Sequence, residues 1–301
     1  MPALVPTLAA SLARADQTFH QGRTAAARKA YGVLLERAQD KSDRAIEVIA
    51  RVMLAWCALQ TRDLDAARAA LKEAGHQVDP MHDDGYGRYR RVLARLAVEA
   101  GTPQTARDEV RDYLAWAEER GRGADALDGC LLLAGLSEVE ERVEWLERGI
   151  ETAINARSTE SLGRAYNELA AALDQVDQSD RALEAYQQAL RWRQATPGPV
   201  RTVVAAMWAV GASACRNERW ALARERLEDA LATASDDPDC ADLVGWIQSD
   251  LARVYDAAGD VVGARHLVVA ALQSAREQDL EARWPERFSA LLEQADTLDV
   301  L

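Results

Sequence analysis

The chain has 301 residues, 49% of them hydrophobic and 28% charged, which is enough apolar material for a sizeable core and too much for a disordered polymer. A formal charge of −13 and a pI near 4.9 argue against the phosphate-neutralising surface that nucleic-acid binding requires. With only 6% aromatic residues, 17 Gly and 8 Pro, and alanine recurring throughout, the composition is wrong for a large barrel or sandwich, and an all-α fold is expected.

No apolar run approaches the ~18 residues of a spanning helix. The opening MPALVPTLAASLARAD has no basic stretch and interrupts its short apolar run at Pro6, so a cytoplasmic protein without membrane contact is expected. Cys57, Cys130, Cys215 and Cys240 are far apart with no C-x-x-C spacing, which signals neither a disulfide framework nor a zinc site. Their simplest role is that of small buried hydrophobes.

In chain order, apolar residues recur at helical spacing, stop at a polar turn and resume, which predicts successive helical hairpins. The first, 8–38, carries Ala15, Gly22, Ala27, Tyr31 and Leu34, with a degenerate opening helix. The second, 43–75, carries Leu54, Ala55, Ala58, Ala67, Leu71 and Ala74, and the third, 85–120, carries Leu93, Ala94, Ala97, Gly101, Ala106, Val110 and Tyr113. The fourth, 124–155, has an abbreviated turn at Leu136, Ser137 and Glu138. The clearest is the fifth, 160–195, containing AYNELAAALDQVDQSDRALEAYQQALRW from Ala165 to Trp192. The sixth, 200–234, and the seventh, 240–277, repeat its frame at Met207, Val210, Gly211, Ala214, Ala223, Leu227 and Ala230, and at Gln248, Leu251, Ala252, Tyr255, Ala264, Val268 and Ala271. A capping helix is expected over 280–301, with Pro285 in its first turn.

The fifth unit resembles the tetratricopeptide repeat (TPR) family in Tyr166, Leu169, Ala170, Leu173, Ala182, Tyr186 and Ala189. Alanines at 27, 67, 106, 182, 223 and 264 begin the buried face of each second helix, spaced 39 to 41 apart except for 76 across the irregular fourth unit. That exceeds the standard period of about 34, and is similar to the longer repeats of kinesin-light-chain-like adaptors and bacterial regulatory TPR proteins. The resemblance implies a single domain over 1–301, a right-handed α-solenoid of about seven hairpins plus a cap, existing as a monomer or weak dimer.

In the family, certain positions of each first helix face a concave groove. Carried over, they are Trp56 in the second unit, Arg88, Arg91 and Arg95 in the third, Arg164 and Asn167 in the fifth, Trp208 in the sixth, and Trp246, Ser249 and Arg253 in the seventh. Trp and Arg are frequent interface anchors. The three arginines of the third unit share one helix face and suggest an acidic partner segment, against the plainer reading that they pair with Glu99, Asp125 or Asp128. The lysines of the family's carboxylate clamp are missing, so a chaperone-type free C-terminus is not the expected ligand. Trp116, Trp145, Trp192, Trp220 and Trp284 fall outside the groove frame and are expected to pack between helices.

His76, Asp79, His82, Asp83 and Asp84 match no metal motif, and no phosphate loop, nucleophile elbow or H-E-x-x-H helix occurs. The expected function is therefore non-enzymatic, without cofactor or metal: a scaffold or adaptor for a partner protein or peptide. A ligand- or peptide-sensing regulator and a self-assembling structural module are the alternatives.

Overall fold

The structure is a computed structural model that describes residues 6–100 and 102–300. Gly101, Leu301 and residues 1–5 of the N-terminal stretch read above lie outside the described residues, as does the side chain of Asp83. Among the described residues the chain forms sixteen α-helices and no strand. They are α1 (Leu8–His20), α2 (Thr24–Asp40), α3 (Arg44–Gln60), α4 (Leu64–Gly75), α5 (Asp83–Glu99), α6 (Pro103–Glu119), α7 (Gly123–Gly135) and α8 (Val139–Asn155). Then follow α9 (Leu162–Gln175), α10 (Ser179–Ala195), α11 (Val200–Arg216), α12 (Trp220–Ser235), α13 (Ala241–Ala257), α14 (Val261–Glu277), α15 (Leu280–Arg283) and α16 (Pro285–Thr297). The fold is an all-α solenoid of successive helix pairs, α1–α2 to α13–α14, closed by α15 and α16. No helix of the described residues is long and apolar enough to cross a membrane.

The expected single cap over 280–301 is two helices. Pro285 disfavours helical backbone in the residue before it, so Trp284 takes φ −141° and ψ 66° and α16 starts afresh with Pro285 in its first turn.

The tight turns share one device. A residue in the left-handed region ends the helix, and the next amide reaches back to a carbonyl five residues earlier, satisfying a group the helix leaves open. Asp63 N bonds Ala58 O at 2.9 Å, Gln178 N bonds Leu173 O at 2.9 Å and Arg219 N bonds Ala214 O at 2.8 Å. The residue spending positive φ is Arg62 (57°), Asp177 (56°) and Glu218 (55°) in these turns, but Gly259 (80°) between α13 and α14. Asp43, Asp63 and Asp260 then cap the next helix by accepting from Ile46 N, Ala66 N and Gly263 N.

Two compact units divide the chain: one holds the described residues up to Glu138 with Glu151–Ser158, the other Val139–Ile150 with the described residues from Thr159. In the first, Tyr31, Leu34, Ile49 and Met53 fill the space among α1, α2 and α3, and Val52, Leu71, Val92 and Leu96 that among α3, α4 and α5. In the second, Val210, Leu227, Leu243, Ile247 and Leu251 form the core of α11 to α13. Each fully buried Leu or Ile contributes about 1.5–3 kcal/mol of transfer free energy. Gly211 is required there, since a Cβ would meet Leu227 Cγ at 2.6 Å. A further core of Trp246, Val268, Leu272, Leu280, Phe288 and Leu291 seats α16 on α13 and α14. All four cysteines are buried. Burial pushes the Cys57 and Cys215 thiols up to about 11.

Candidate functional site

The arginines of α5 are occupied within the first unit. Arg88 forms a two-point pair with Asp16 at 2.9 and 2.8 Å, and its Nε donates to Asp84 at 3.2 Å. Asp16 also accepts from the buried Tyr31 hydroxyl at 2.6 Å. Arg91 Nε and Nη2 donate to Asp128 at 2.8 and 3.0 Å, and Arg95 Nη2 approaches the same carboxylate at 3.4 Å. The Arg91 guanidinium also covers the Trp56 ring, Cζ lying 4.6 Å from its centroid. Burial opposes the charges of Arg88 and Arg91, yet both are held above the ordinary guanidinium range by their aspartates. Of the three carboxylates the sequence offered as partners, Asp128 takes Arg91 and Arg95, while Asp125 accepts from Tyr113 and Arg122. Asp16, 72 residues from Arg88, had no local signal.

The loop before α5 serves its own backbone: Asp79 accepts from Met81 N at 2.9 Å, and His82 Nδ1 accepts from Gly85 N at 3.4 Å as the cap of α5.

In the second unit, Arg164 is half-exposed and pairs with Glu168 one turn on, at 2.7 Å, and Asn167 is exposed. The other four expected residues converge. Trp208 of α11 and Trp246, Ser249 and Arg253 of α13 line one pocket of about 320 Å³ with Asp250, Arg287, Ala290, Leu291 and Gln294. Positions 246, 249, 250 and 253 fall on one face of α13, and 287, 290, 291 and 294 fall on one face of α16, by the three-and-four spacing of a helix. The third wall, α16, is not the first helix of a hairpin and so lies outside the family's groove frame. The same spacing in the cap was a usable signal.

Most polar groups of the pocket are spent on each other. Trp208 Nε1 donates to Asp250 Oδ2 at 2.7 Å. Ser249 Oγ donates to Gln294 Oε1 at 2.7 Å, and Gln294 Nε2 returns a bond to Ser249 O at 3.1 Å, tying α16 to α13. Arg253 lies 3.7 Å from Asp250 and keeps half its side chain exposed. Arg287 lies over Trp208, its Cζ 4.6 Å from the ring centroid, and 5.7 Å from that of Trp246. Trp246 is only 4% exposed and stacks at a tilt on Trp284 with centroids 5.8 Å apart, so it forms the pocket's floor rather than a free anchor.

Among the tryptophans expected to pack, Trp116 and Trp284 do. Trp220, the first residue of α12, departs from that expectation: it is 36% exposed and lines a neighbouring hollow with Arg253 of α13 and Gln294 of α16.

Residues 163–196, within α9 and α10, match the family model of the tetratricopeptide repeat. The chain is similar in structure to a signal transduction ATPase with numerous domains from Pyrococcus horikoshii, a protein with a tetratricopeptide repeat sensor. Identity is 17% and the TM-score 0.71, over 95% of this chain and 43% of that one, so the chain spans less than half of that relative's length. It is also similar to the apo form of the quorum sensor NprR from B. thuringiensis (15% identity, TM-score 0.57, 95% of this chain and 79% of that one). A putative kinesin light chain with nearly identical TPR-like repeats from Podosopora anserina is 24% identical, with a TM-score of 0.50 over 64% of this chain and 96% of that one. At these identities the likeness is one of fold. No curated protein matches the chain in sequence. The matched tetratricopeptide repeat thus covers 34 residues at the centre of the chain, with helical hairpins of similar pattern on either side of it.

Proposed function

We propose that the chain is a non-enzymatic interaction module, a scaffold or adaptor that holds a partner protein or peptide in the pocket between α11, α13 and α16. One observation carries this reading: four groove residues from two different repeats line a single pocket with the last helix as its third wall. A rigid tryptophan surface with few exposed polar groups around it is the composition of a recognition site. The polar groups there stabilise one another, Asp250 with Trp208 and Ser249 with Gln294, rather than forming an acid, base and nucleophile set. The module acts as a monomer or weak dimer.

A second reading, in which a bound peptide switches an output, is supported by the fold's likeness to two proteins described as sensors. Both readings place a peptide in the same pocket.

The test is selection of a displayed random-peptide library on the wild-type protein, followed by binding to Ala290→Trp, which plugs the pocket from an exposed position of α16. Peptides that bind wild type and fail on the plugged variant, with thermal stability unchanged, support the reading. Equal binding to both, or no selected peptide, contradicts it.

A further inference from the structure

We infer that the pocket's anchoring ligand group is a carboxylate side chain, an Asp or Glu within a peptide segment, received edge-on by the guanidinium of Arg287. This rests on the reading of the α11–α13–α16 pocket as a binding site, and it adds the chemistry of what binds.

The argument starts from two arginines in the same chain. Arg91 and Arg287 each lie with Cζ 4.6 Å from the centroid of a tryptophan ring, Trp56 and Trp208 respectively. A guanidinium that rests its face on a ring keeps its in-plane N–H donors available, a fork that matches the two oxygens of a carboxylate. At Arg91 that fork is filled by Asp128, with Nε and Nη2 at 2.8 and 3.0 Å from its two oxygens. At Arg287 it is empty: no carboxylate of the described residues pairs with it. Arg287 thus shares with Arg91 the 4.6 Å approach to a tryptophan ring but has no aspartate paired with it among the described residues.

The rest of the pocket fits that missing group. Asp250, the one carboxylate lining it, is engaged by Trp208 Nε1 at 2.7 Å and by Arg253 at 3.7 Å. Two guanidiniums therefore face one carboxylate that is already bonded, a local excess of positive charge in a chain of net charge −13. The amide and hydroxyl suited to orienting a chain terminus, Gln294 Nε2 and Ser249 Oγ, are bonded to each other's residues. This favours a side-chain carboxylate over a terminal one, and Ala290 and Leu291 offer apolar contact for the residue beside it.

The probes are N-acetylated, C-amidated peptides from the library selection, their binding read by fluorescence anisotropy. The selected sequences are expected to share an Asp or Glu, and exchanging it for Asn or Gln should weaken binding about tenfold or more, as for a hydrogen-bonded charge. Binding should also fall as salt rises. Arg287→Gln should remove the preference for the acid over the amide peptide, and Arg287→Lys should keep part of it. The peptide exchange needs no change to the protein, so it decides the matter even where a variant folds poorly. Peptides blocked by Ala290→Trp but indifferent to the acid-to-amide exchange would overturn this inference and leave the pocket reading standing. Binding that requires a free C-terminus would overturn the side-chain assignment. An absence of pocket-dependent binding would overturn both.

Discussion

Arg91 and Asp128 are joined by two parallel hydrogen bonds, with the Arg91 guanidinium pressed between that carboxylate and the Trp56 ring. Asp128 is 7% exposed and also receives Arg95, so one buried carboxylate neutralises two cations. Removing it takes from both arginines the carboxylate they are bonded to. Asp128→Asn is expected to destabilise the first unit by about 2–3 kcal/mol, somewhat below a fully buried pair because the arginines remain partly exposed. Glu168→Gln, which breaks the surface pair with Arg164, should cost under about 1 kcal/mol. Denaturant melts of both variants check the contrast; equal effects would mean that Asp128 contributes no more than a surface ion pair.

Arg201 and Asp242 tie α11 to the start of α13, Nη2 donating to Oδ2 at 3.0 Å, with Arg283 at 3.5 Å from the same oxygen. The Arg201 hydrogen bond holds the Asp242 carboxyl below its ordinary range, with neighbouring charges adding to it. A depressed folded-state value means stability present above the ordinary carboxylate range and lost as pH falls through the folded value. The gap in melting temperature between wild type and Asp242→Asn should therefore be widest near neutral pH and close below about pH 4. With Arg201 partly exposed, the neutral-pH gap corresponds to about 1 kcal/mol. A gap that does not change with pH would contradict the assignment.

Gly211 sits where the repeat pattern demands a small residue, and Leu227 fills the space a Cβ would need, with Cδ2 at 2.7 Å. Gly211→Ala should cost about 1–3 kcal/mol by overpacking, despite the better helix propensity of alanine. A stabilised Gly211→Ala protein in thermal melts would show that α11 and α12 are not packed at this distance.

Glu218 holds φ at 55° in the turn between α11 and α12, where Gly259 does the same work between α13 and α14. Glu218→Gly should stabilise the protein by about 0.5–1 kcal/mol by relieving the left-handed backbone. A loss of stability would mean that the Glu218 side chain makes a contact worth more than the strain.

The hairpins were legible because each places Ala, Leu or Gly on a buried face at fixed spacing: Ala182, Ala223 and Ala264 are all fully buried. The break at Trp284 was implicit in Pro285, whose effect falls on the residue before it. Trp208, Trp246, Ser249 and Arg253, which the resemblance to the family assigns to the groove-facing side of two successive first helices, line one pocket. The fate of Arg88 was not legible, since Asp16 lies far away in sequence and only tertiary packing brings the two together. Nor could spacing tell a guanidinium with its carboxylate in place, Arg91, from one without, Arg287.

The most direct test of the pocket as the binding site is photo-crosslinking with a selected peptide that carries benzoylphenylalanine, with the adducts mapped by mass spectrometry. Adducts are expected on Ala241–Ala257 and Pro285–Thr297, the helices that supply two walls of the pocket. Adducts concentrated instead on α5, around Arg88 to Arg95, or scattered over the chain, would contradict it.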